Sequence, residues 1–291
     1  MGVGNRVHQV KYEKAWVGIV TKNRAGILPQ SIESALSQAA ATVSVIDDGS
    51  TDATRELVKR FPSVEWITWP KSRGYVAARN YWIANATAEY FAGLDDDAWF
   101  LQGDEIGEAV TAMEKNPRIG AIAFDILSPD RPEPRKRFGL DRVSSFIGCG
   151  HMLRLSAVRE AGGYEPAPGS YGGEEKDLCL RLMDAGYEIV RLNGVHVWHD
   201  KTAVARQIPA QHQSGVCNDL VMAVRRTPLY LLPLAIILKF HRHLIFGLRH
   251  GLLSPALSGF ALFLKSLPTV WKSRKPVKTS TLRTFMKLRP Q

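Results

Sequence analysis

The chain has 291 residues, 45% hydrophobic and 23% charged, which excludes disordered and fibrous proteins and leaves enough chain for a sizeable core. The net charge of +10 is unevenly distributed, because residues 1–200 carry 23 basic against 27 acidic residues, whereas residues 201–291 carry 15 against 1. The acidic body would repel phosphate backbones, so the composition argues against a nucleic-acid partner.

Short apolar runs alternate with helical patterns along the first half of the chain. Residues 1–14 form a polar leader that lacks the apolar segment of a signal peptide. Strands are then predicted at 15–20, 41–46, 64–69 and 89–94, and helices at 27–38, 52–61 and 75–87, with Asp52 as an N-cap. This alternation predicts an α/β fold with a mostly parallel central sheet flanked by helices, whose ligands collect beyond the carboxyl ends of the strands.

The second half of the body contains longer loops. Its predicted segments are an irregular proline-rich connection at 127–144, a strand entering a helix at 146–155, a glycine-rich loop at 162–173 and a helix at 174–186. A long glycine-rich loop inside a compact domain is typical of a mobile lid or of disorder. A short alternating segment at 193–200 then ends the body.

The C-terminal region, residues 201–291, changes in character. Its two strongly apolar segments, 228–240 and 252–271, are interrupted by basic residues, and neither contains a clean run of about 18–20 apolar residues. We predict helices in the membrane interface, with basic residues facing anionic head groups. Packing on the body, or against a second subunit in an oligomer, is the alternative. The membrane interpretation places the protein in the cytoplasm, peripherally at the inner face of the cell membrane.

The three cysteines, Cys149, Cys179 and Cys217, are well separated and odd in number, and no C-x-x-C pair is present. We interpret them as reduced core thiols of a cytosolic protein.

Two acidic clusters fall at predicted strand ends. Asp95, Asp96 and Asp97 follow the strand at 89–94, and a D-x-D in that place can hold Mg²⁺ or Mn²⁺, since hard cations prefer oxygen ligands. Asp48, in the cluster after the second strand, can accept a hydrogen bond from a ribose or from a base N–H. Solvated turns and helix caps are the simpler interpretations of both clusters, and Asp96 in particular can be a solvated neighbour.

Further candidate groups lie near the end of the body. Glu174 and Glu175 begin a helix, where the dipole favours the ionised carboxylate that a general base requires. His199 follows the alternating segment and precedes Asp200, which can orient its imidazole. A dipole-complementing glutamate and a structural histidine are the simpler interpretations.

In combination, six segments resemble the inverting nucleotide-sugar glycosyltransferases of family two, which have a GT-A fold. The segments are VGIVTKNR, VSVIDDGSTD, SRGYVAARN, AGLDDDAW, GGYEPAPGSYGGEEKDLCLRLMDAGYEI and HVWHD. The resemblance covers residues 15–200, which we predict to be the catalytic domain, followed by the helical, basic region 201–291. Each segment alone is weak, but the order and spacing together are specific.

The resemblance implies roles for individual residues. The nucleotide-sugar site is expected to comprise Thr21, Asn23, Arg24, Asp48, Gly74, Arg79, Asn80, Asp95 and Asp96. The metal ligands are expected to be Asp97, Asp95 and His199, binding Mn²⁺ or Mg²⁺. The family's acidic pair is usually Glu-Asp with Asp as the base; here it is Glu174-Glu175, so Glu175 is the expected base and Glu174 the other candidate.

The predicted activity is metal-assisted single displacement from a nucleotide-diphosphate sugar to the hydroxyl of a saccharide or lipid-linked acceptor, in bacterial polysaccharide or glycolipid synthesis. A UDP-sugar is favoured because Asp48 can pair with a pyrimidine N–H, while dTDP and GDP stay open. The alternatives are a sugar-phosphate nucleotidyltransferase, for which the first loop has too few glycines, and a non-enzymatic membrane- or nucleic-acid-binding protein.

Overall fold

The computed structural model describes residues 12–201 and 208–291, so most of the predicted leader lies outside the described residues. The strands are β1 (Tyr12–Thr21), β2 (Ala40–Asp47), β3 (Glu65–Thr68), β4 (Tyr90–Asp95), β5 (Ala98–Phe100), β6 (Ile119–Leu127), β7 (Gly139–Arg142), β8 (Gly150–Arg154) and β9 (Glu188–His199). The helices are α1 (Leu28–Ser37), α2 (Tyr75–Asn85), α3 (Glu105–Lys115), α4 (Leu155–Glu160), α5 (Glu174–Asp184), α6 (Ile208–Arg226), α7 (Leu232–Arg249), α8 (Leu253–Lys272) and α9 (Thr279–Lys287).

Within the described residues, the strands form one sheet with the order β3-β2-β1-β4-β8-β6-β9-β5, and β7 also pairs with β9. The first four strands are parallel, as predicted, and their carboxyl ends share one edge. β8 runs antiparallel to both β4 and β6, and β5 and β7 run antiparallel to β9. The α/β architecture is therefore confirmed, with a parallel half joined to a mixed half.

Two differences from the predicted elements have simple physical reasons. The segment predicted as a helix at 52–61 is a 3-10 helix, Ala53–Lys59, at whose end the Arg60 amide bonds three residues back, to the Leu57 carbonyl at 2.9 Å. Asp52 caps it as predicted, because its carboxylate accepts from the Thr54 amide at 3.0 Å. Within the predicted irregular connection, β7 forms by pairing with β9, a long-range contact that local sequence does not encode.

Apolar side chains cover both faces of the sheet. On one face, the buried residues of α1 and α3 pack with β1 and β4 in one cluster. On the other, α2, α4 and α5 bury residues such as Trp82, Val158 and Leu178 in a second cluster. The sheet is thus covered by helices on both sides, which leaves its edge at the carboxyl ends of the parallel strands for polar groups.

The C-terminal helices add a third apolar cluster. Val216 and Leu220 of α6 pack with Phe260 and Phe263 of α8. α9 lies against α5, where Phe285 contacts the second core cluster. Two segments, Leu229–Arg249 and Leu253–Lys272, are long and apolar enough to cross a membrane by length and composition. The proposed division at residue 200 stays a prediction, since α6, α8 and α9 all pack on other parts of the chain.

Candidate active site

A cavity of about 640 Å³ opens at the carboxyl ends of β1, β2 and β4. Most of the site residues predicted from sequence line it, namely Thr21, Arg24, Asp48, Gly74, Arg79, Asp95, Asp96, Asp97, Glu174, Glu175 and His199. The topology explains the convergence, because loops that follow parallel strands emerge on the same edge of the sheet.

Two predicted residues do not belong to the cavity lining. Asn23 has a positive φ of 56°, and its side-chain oxygen accepts from the Thr51 amide at 2.7 Å, so it joins the first loop to the second. Asn80 forms a reciprocal pair with the backbone of Tyr164, with both distances 2.8 Å. Both side chains therefore hold neighbouring segments in place, and their assignment to the nucleoside pocket stays a prediction.

Asp48 organises the loop that begins α2. Its carboxylate accepts from the Ser72 hydroxyl at 2.6 Å and from the amides of Arg73 and Gly74 at 2.6 and 3.0 Å. The residue is 5% exposed and lines the cavity. An oxygen that accepts one bond retains a second lone pair, so Asp48 can still accept a donor from a base or ribose.

The three consecutive aspartates have different surroundings. Asp96 accepts from the Thr21 hydroxyl at 2.9 Å and lies 3.9 Å from the Arg24 guanidinium, so it is not the solvated neighbour that the sequence allowed. Burial raises the pKa of Asp96 to about 7, against the opposing effect of Arg24. Asp95, by contrast, exposes 42% of its side chain, whereas Asp97 is buried. Asp96 therefore contacts the first loop, whereas the side chain of Asp97 is buried at the edge of the sheet.

Asp97 and His199 meet through strand pairing. β5 pairs with β9 so that Ala98 is opposite His199, and His199 Nε2 lies 3.2 Å from Asp97 Oδ1. An oxygen and a nitrogen at this separation can bind one ion, because metal–ligand bonds of about 2.1 Å place neighbouring ligands roughly 3 Å apart. Ligand atoms of Asp95, Cys149 and His199 also lie within 4.8 Å of one another. The donor set therefore fits a divalent cation.

Arg79 connects this acidic edge to the glutamate pair. It is 6% exposed, and its guanidinium lies 3.0 Å from Glu175 Oε1, 3.4 Å from Asp95 Oδ1 and 3.7 Å from Glu174 Oε1. The rings of Tyr75 and Tyr164 lie 5.0 and 5.6 Å from its central carbon. One buried cation is therefore shared by three carboxylates, which would otherwise repel one another.

The two glutamates begin α5 after Gly173, whose φ of +97° favours glycine. Glu174 Oε1 accepts from the Tyr75 hydroxyl at 2.6 Å, and its side chain is 7% exposed, against 17% for Glu175. Burial, together with the charge of Glu175, raises the pKa of Glu174 to about 7. Glu174 is thus held behind Tyr75, whereas Glu175 is the more accessible carboxylate.

The loop at 162–173, predicted to be a mobile lid, is held in this structure by Asn218 of α6. The Asn218 amide donates to the carbonyls of Gly169, Tyr171 and Gly172, and its oxygen accepts from the Gly169 amide at 2.8 Å. The Tyr75 hydroxyl also accepts from the Gly172 amide at 3.2 Å. The basic C-terminal region therefore shapes the entrance to the cavity.

Several cavity residues escaped prediction, among them Lys22, Tyr75, Cys149 and Gln291. Lys22 stood beside the predicted Thr21 and could have been found from that spacing. Gln291 accepts from the Ile147 amide at 2.9 Å, and the Ser144 amide donates to the Arg289 carbonyl at 2.9 Å, contacts across more than 140 residues. No local signal in the sequence indicates such pairings.

Two family models and several curated proteins match parts of the chain. Residues 16–160 match the model described as glycosyl transferase family 2, and residues 138–204 match the model described as the N-terminal domain of galactosyltransferase.

The chain is 30% identical over 164 residues to a pre-mycofactocin glycosyltransferase of Mycobacterium tuberculosis, covering 50% of this chain and 34% of that protein. It is 28% identical over 180 residues to the putative glycosyltransferase EpsE of Bacillus subtilis, covering 55% and 63% respectively. The succinoglycan biosynthesis protein ExoO of Rhizobium meliloti matches at 40% identity over 83 residues, which is 27% of this chain and 24% of that protein. The chain therefore aligns with less than two thirds of each of these relatives.

Solved structures share the fold at low identity. GalNAc-T7, crystallised with UDP, GalNAc and Mn²⁺, has a TM-score of 0.62 and 16% identity, covering 75% of this chain and 48% of that chain. Staphylococcus aureus TarS 1-349 in complex with UDP-GlcNAc has a TM-score of 0.61 and 15% identity, covering 95% and 82%. The matched sequence models, the glycosyltransferase relatives and this shared architecture agree: the chain belongs to glycosyltransferase family 2 and has the GT-A fold.

Proposed function

We propose that this glycosyltransferase moves a sugar from a nucleoside diphosphate donor to an acceptor hydroxyl by a metal-assisted single displacement that inverts the anomeric centre. The observation that carries the proposal is the position of Arg79, whose guanidinium contacts both Asp95 at the acidic edge and Glu175 at the start of α5. Glu175, which can take a proton, and Asp95, which can bind a metal ion that contacts phosphate, thus line the same cavity.

The donor is proposed to bind along the first loop. Asp48 and Asp96 supply acceptors for base and ribose, with Thr21 and Arg24 beside Asp96. Lys22, which also lines the cavity, supplies a positive charge to the diphosphate. We retain UDP as the favoured nucleotide, since Asp48 keeps lone pairs for a pyrimidine N–H, and the GalNAc-T7 and TarS structures were solved with UDP or a UDP-sugar.

Asp97, His199 and Asp95 are the proposed metal ligands. A divalent cation bound there would neutralise charge that develops on the diphosphate leaving group. Mn²⁺ was present in the GalNAc-T7 crystals, and either Mn²⁺ or Mg²⁺ suits carboxylate ligands. The 3.2 Å contact between Asp97 Oδ1 and His199 Nε2 holds the two proposed ligand atoms side by side, and a bound cation would replace this contact.

Glu175 is the proposed general base. It is more exposed than Glu174, and its contact with Arg79 leaves its second carboxylate oxygen to accept the acceptor proton. Glu174 instead accepts from Tyr75, whose hydroxyl also holds Gly172 of the loop. We therefore assign Glu174 to positioning the loop and Glu175 to proton transfer.

The test is a screen of nucleotide sugars for hydrolysis and transfer, with Mn²⁺ or Mg²⁺, followed by a pair of matched variants. Glu175→Gln should abolish transfer, because an amide cannot take the proton, while leaving donor affinity unchanged. Glu174→Gln, one residue away, should retain transfer above about a tenth of wild type, since its carboxylate makes no proton transfer. If Glu174→Gln were the inactive variant, the assignment of the base would be wrong.

We further propose a saccharide or lipid-linked acceptor of bacterial polysaccharide or glycolipid synthesis, and peripheral contact with the inner face of the membrane. The support is the unusual orientation of α7. Its Lys239 and His243 are 21% and 16% exposed, and both contact Asp219 of α6, as does the more exposed Arg242, at 2.5 to 2.9 Å. The opposite stripe, with Leu234, Ile237, Leu238 and Leu248, is 57–63% exposed. A helix that turns its polar face inward leaves its apolar face for an external apolar phase.

Exposed cations lie on α7 and on α8, which contacts α7. Arg249, Lys265 and Lys272 are all exposed, and the region carries 15 basic residues against one acidic residue, Asp219, which α7 already neutralises. This combination of an apolar stripe and positive charge matches an anionic lipid surface better than a second copy of the chain, which would repel it.

The membrane proposal is tested by sedimentation with phosphatidylcholine vesicles that contain or lack phosphatidylglycerol. The wild type should sediment with the anionic vesicles, and Ile237→Glu with Leu238→Glu should lose most of that binding. Leu36→Glu, at an exposed leucine on α1 of the body, is the control and should bind normally. Equal sedimentation of both variants would contradict the proposal.

A further inference from the structure

Cys149 lies beside the proposed metal ligands because of strand register. β8 pairs antiparallel with β4 so that Gly150 is opposite Leu94. One step along this pairing places Cys149 next to Asp95. The cysteine is 1% exposed and lines the cavity. A residue that sequence alone indicates as a core thiol is therefore part of the site wall.

The third member of the cluster, His199, comes from a different strand, at the end of β9. His199 reaches the same point through the pairing of β5 with β9 and contacts Asp97 at 3.2 Å. Ligand atoms of Asp95, Cys149 and His199 all lie within 4.8 Å of one another. Ligands of one ion with bonds of about 2.0–2.3 Å lie roughly 3–3.5 Å apart, so side chains whose ligand atoms already lie within 4.8 Å of one another can meet at one ion through small movements.

Two glycines fix the turn that carries this thiol. A Cβ atom at Gly148 would lie 2.3 Å from Arg79 Nη2 and 2.4 Å from Glu175 Oε1. A Cβ atom at Gly150 would lie 2.6 Å from Ile126 Cδ1. The backbone therefore passes directly against the Arg79–Glu175 pair, which leaves the position of Cys149 little freedom.

We propose that the Cys149 sulphur is a ligand of the metal in this site, alongside the Asp and His ligands, and that it biases the site toward sulphur-accepting ions such as Co²⁺ and Zn²⁺ over Mg²⁺. The proposal rests on the proposed metal site. On binding, the thiol proton passes to solvent and a metal–sulphur bond forms. Mg²⁺ gains little from such a ligand, because it prefers hard oxygen donors in octahedral geometry.

The experiment is a Co²⁺ titration of the full chain, with and without UDP, followed by absorption spectroscopy. A thiolate ligand gives a near-ultraviolet sulphur-to-cobalt charge-transfer band that oxygen and nitrogen ligands do not give. The wild type should show it, and Cys149→Ala and Cys149→Ser should lose it. Cys217→Ala is the matched control, since Cys217 is fully buried between α6 and α8, and it should keep the band.

Calorimetry gives the second readout. Cys149→Ala should weaken Co²⁺ and Zn²⁺ binding by about 10- to 100-fold, as removal of groups at metal sites commonly does, while Mg²⁺ binding changes less than about threefold. Unaltered UDP binding by Cys149→Ala would show that the variant is folded. Absence of the band in the wild type, or its persistence in Cys149→Ala, would overturn the proposal.

The result is separable from the proposed function. Metal-dependent transfer with normal Co²⁺ affinity but no band would refute only the cysteine ligand. A cysteine-dependent band in a protein that transfers no sugar would leave the ligand standing and refute the activity.

Discussion

Replacing Arg79 with methionine tests the proposed link between the metal edge and the base. The substitution keeps side-chain volume but leaves Glu174, Glu175 and Asp95 without their shared cation. Removing one partner from a buried ion pair costs about 3–5 kcal/mol, so we expect the free energy of unfolding to fall by that order.

The same substitution should also change the pH dependence of activity. A guanidinium favours the ionised carboxylates that it faces, and its effect on a neighbouring carboxyl is about 1–3 pH units. Loss of Arg79 should therefore raise the pKa of Glu174 above about 7, and it also removes the positive charge that lies 3.0 Å from Glu175, the proposed base. Because a general base works only when ionised, the acid limb of kcat/KM should move to higher pH by about 1–3 units.

The assay is the pH profile of donor hydrolysis and transfer, together with urea unfolding. Arg79→Lys should fall between wild type and methionine, since it keeps the charge but not the forked geometry. Arg154→Met is the matched control, because Arg154 lies over Tyr90 and donates to the carbonyls of Ile119 and Met113, not to carboxylates. If the acid limb of the kcat/KM profile lay at the wild-type pH in both Arg79 variants, the assignment of Arg79 as a positioning residue would be refuted.

Four further outcomes are expected. Asp97→Ala should abolish metal-dependent turnover, measured by Mn²⁺ titration, and full wild-type activity in excess chelator would contradict it. Gly148→Ala should lower turnover by forcing Arg79 and Glu175 apart, whereas Gly26→Ala, where an added Cβ meets nothing within 4 Å, should not. Asn218→Ala should free the loop at 162–173 and raise the ratio of donor hydrolysis to transfer; an unchanged ratio would show that the four hydrogen bonds do not control water access. The pKa of Glu174 is raised from 4.5 to about 7 on folding, so the folded state binds more protons in that range and stability should fall as pH rises through it. Glu174→Gln should flatten that part of the urea-unfolding profile, and an unaltered slope would contradict the raised pKa.

The sequence predicts the parallel half of the fold well, because alternating apolar runs and capping signals are local. The helix predicted at 75–87 and observed as α2 (Tyr75–Asn85) is an example in which the pattern indicates both type and position, and Asp52 caps its segment as predicted. The acidic cluster after β4 was recognisable for a similar reason, since it directly follows a buried strand.

The mixed half depends on contacts between distant segments, which local patterns do not encode. Cys149 shows this clearly: the segment around it predicts a strand, but only the antiparallel pairing of β8 with β4 brings its thiol to Asp95. Asn23 and Asn80 show the reverse case, in which the sequence pattern indicates site residues but the side chains bond to neighbouring segments of the backbone. Both follow the family pattern in sequence, yet their amides bind backbone groups outside the cavity lining, a distinction that only the hydrogen-bond partners reveal.

The packing also changes how the C-terminal region should be tested. Deleting the chain from Pro228 onward would remove Phe260 and Phe263, which cover apolar residues of α6. An added Cβ at Gly259 would lie 2.8 Å from Val216, so the two helices are in close contact. Such a deletion would expose a core, and its loss of membrane binding would not distinguish lipid contact from misfolding. Substitutions on the outer stripe of α7 avoid this, because those side chains contact little of the body.

Adjacent residues of α6 contact both α7, the helix that we propose faces the membrane, and the loop at 162–173. Asn218 holds Gly169, Tyr171 and Gly172 of the loop, while Asp219, the next residue, binds the three cationic side chains of α7. A rotation of α7 on a lipid surface would act on Asp219 and, through one peptide unit, on the loop beside Glu174 and Glu175. An acceptor carried by that surface would then meet a cavity entrance whose shape depends on the same helix, so the membrane proposal predicts an effect of the basic region on catalysis as well as on anchoring.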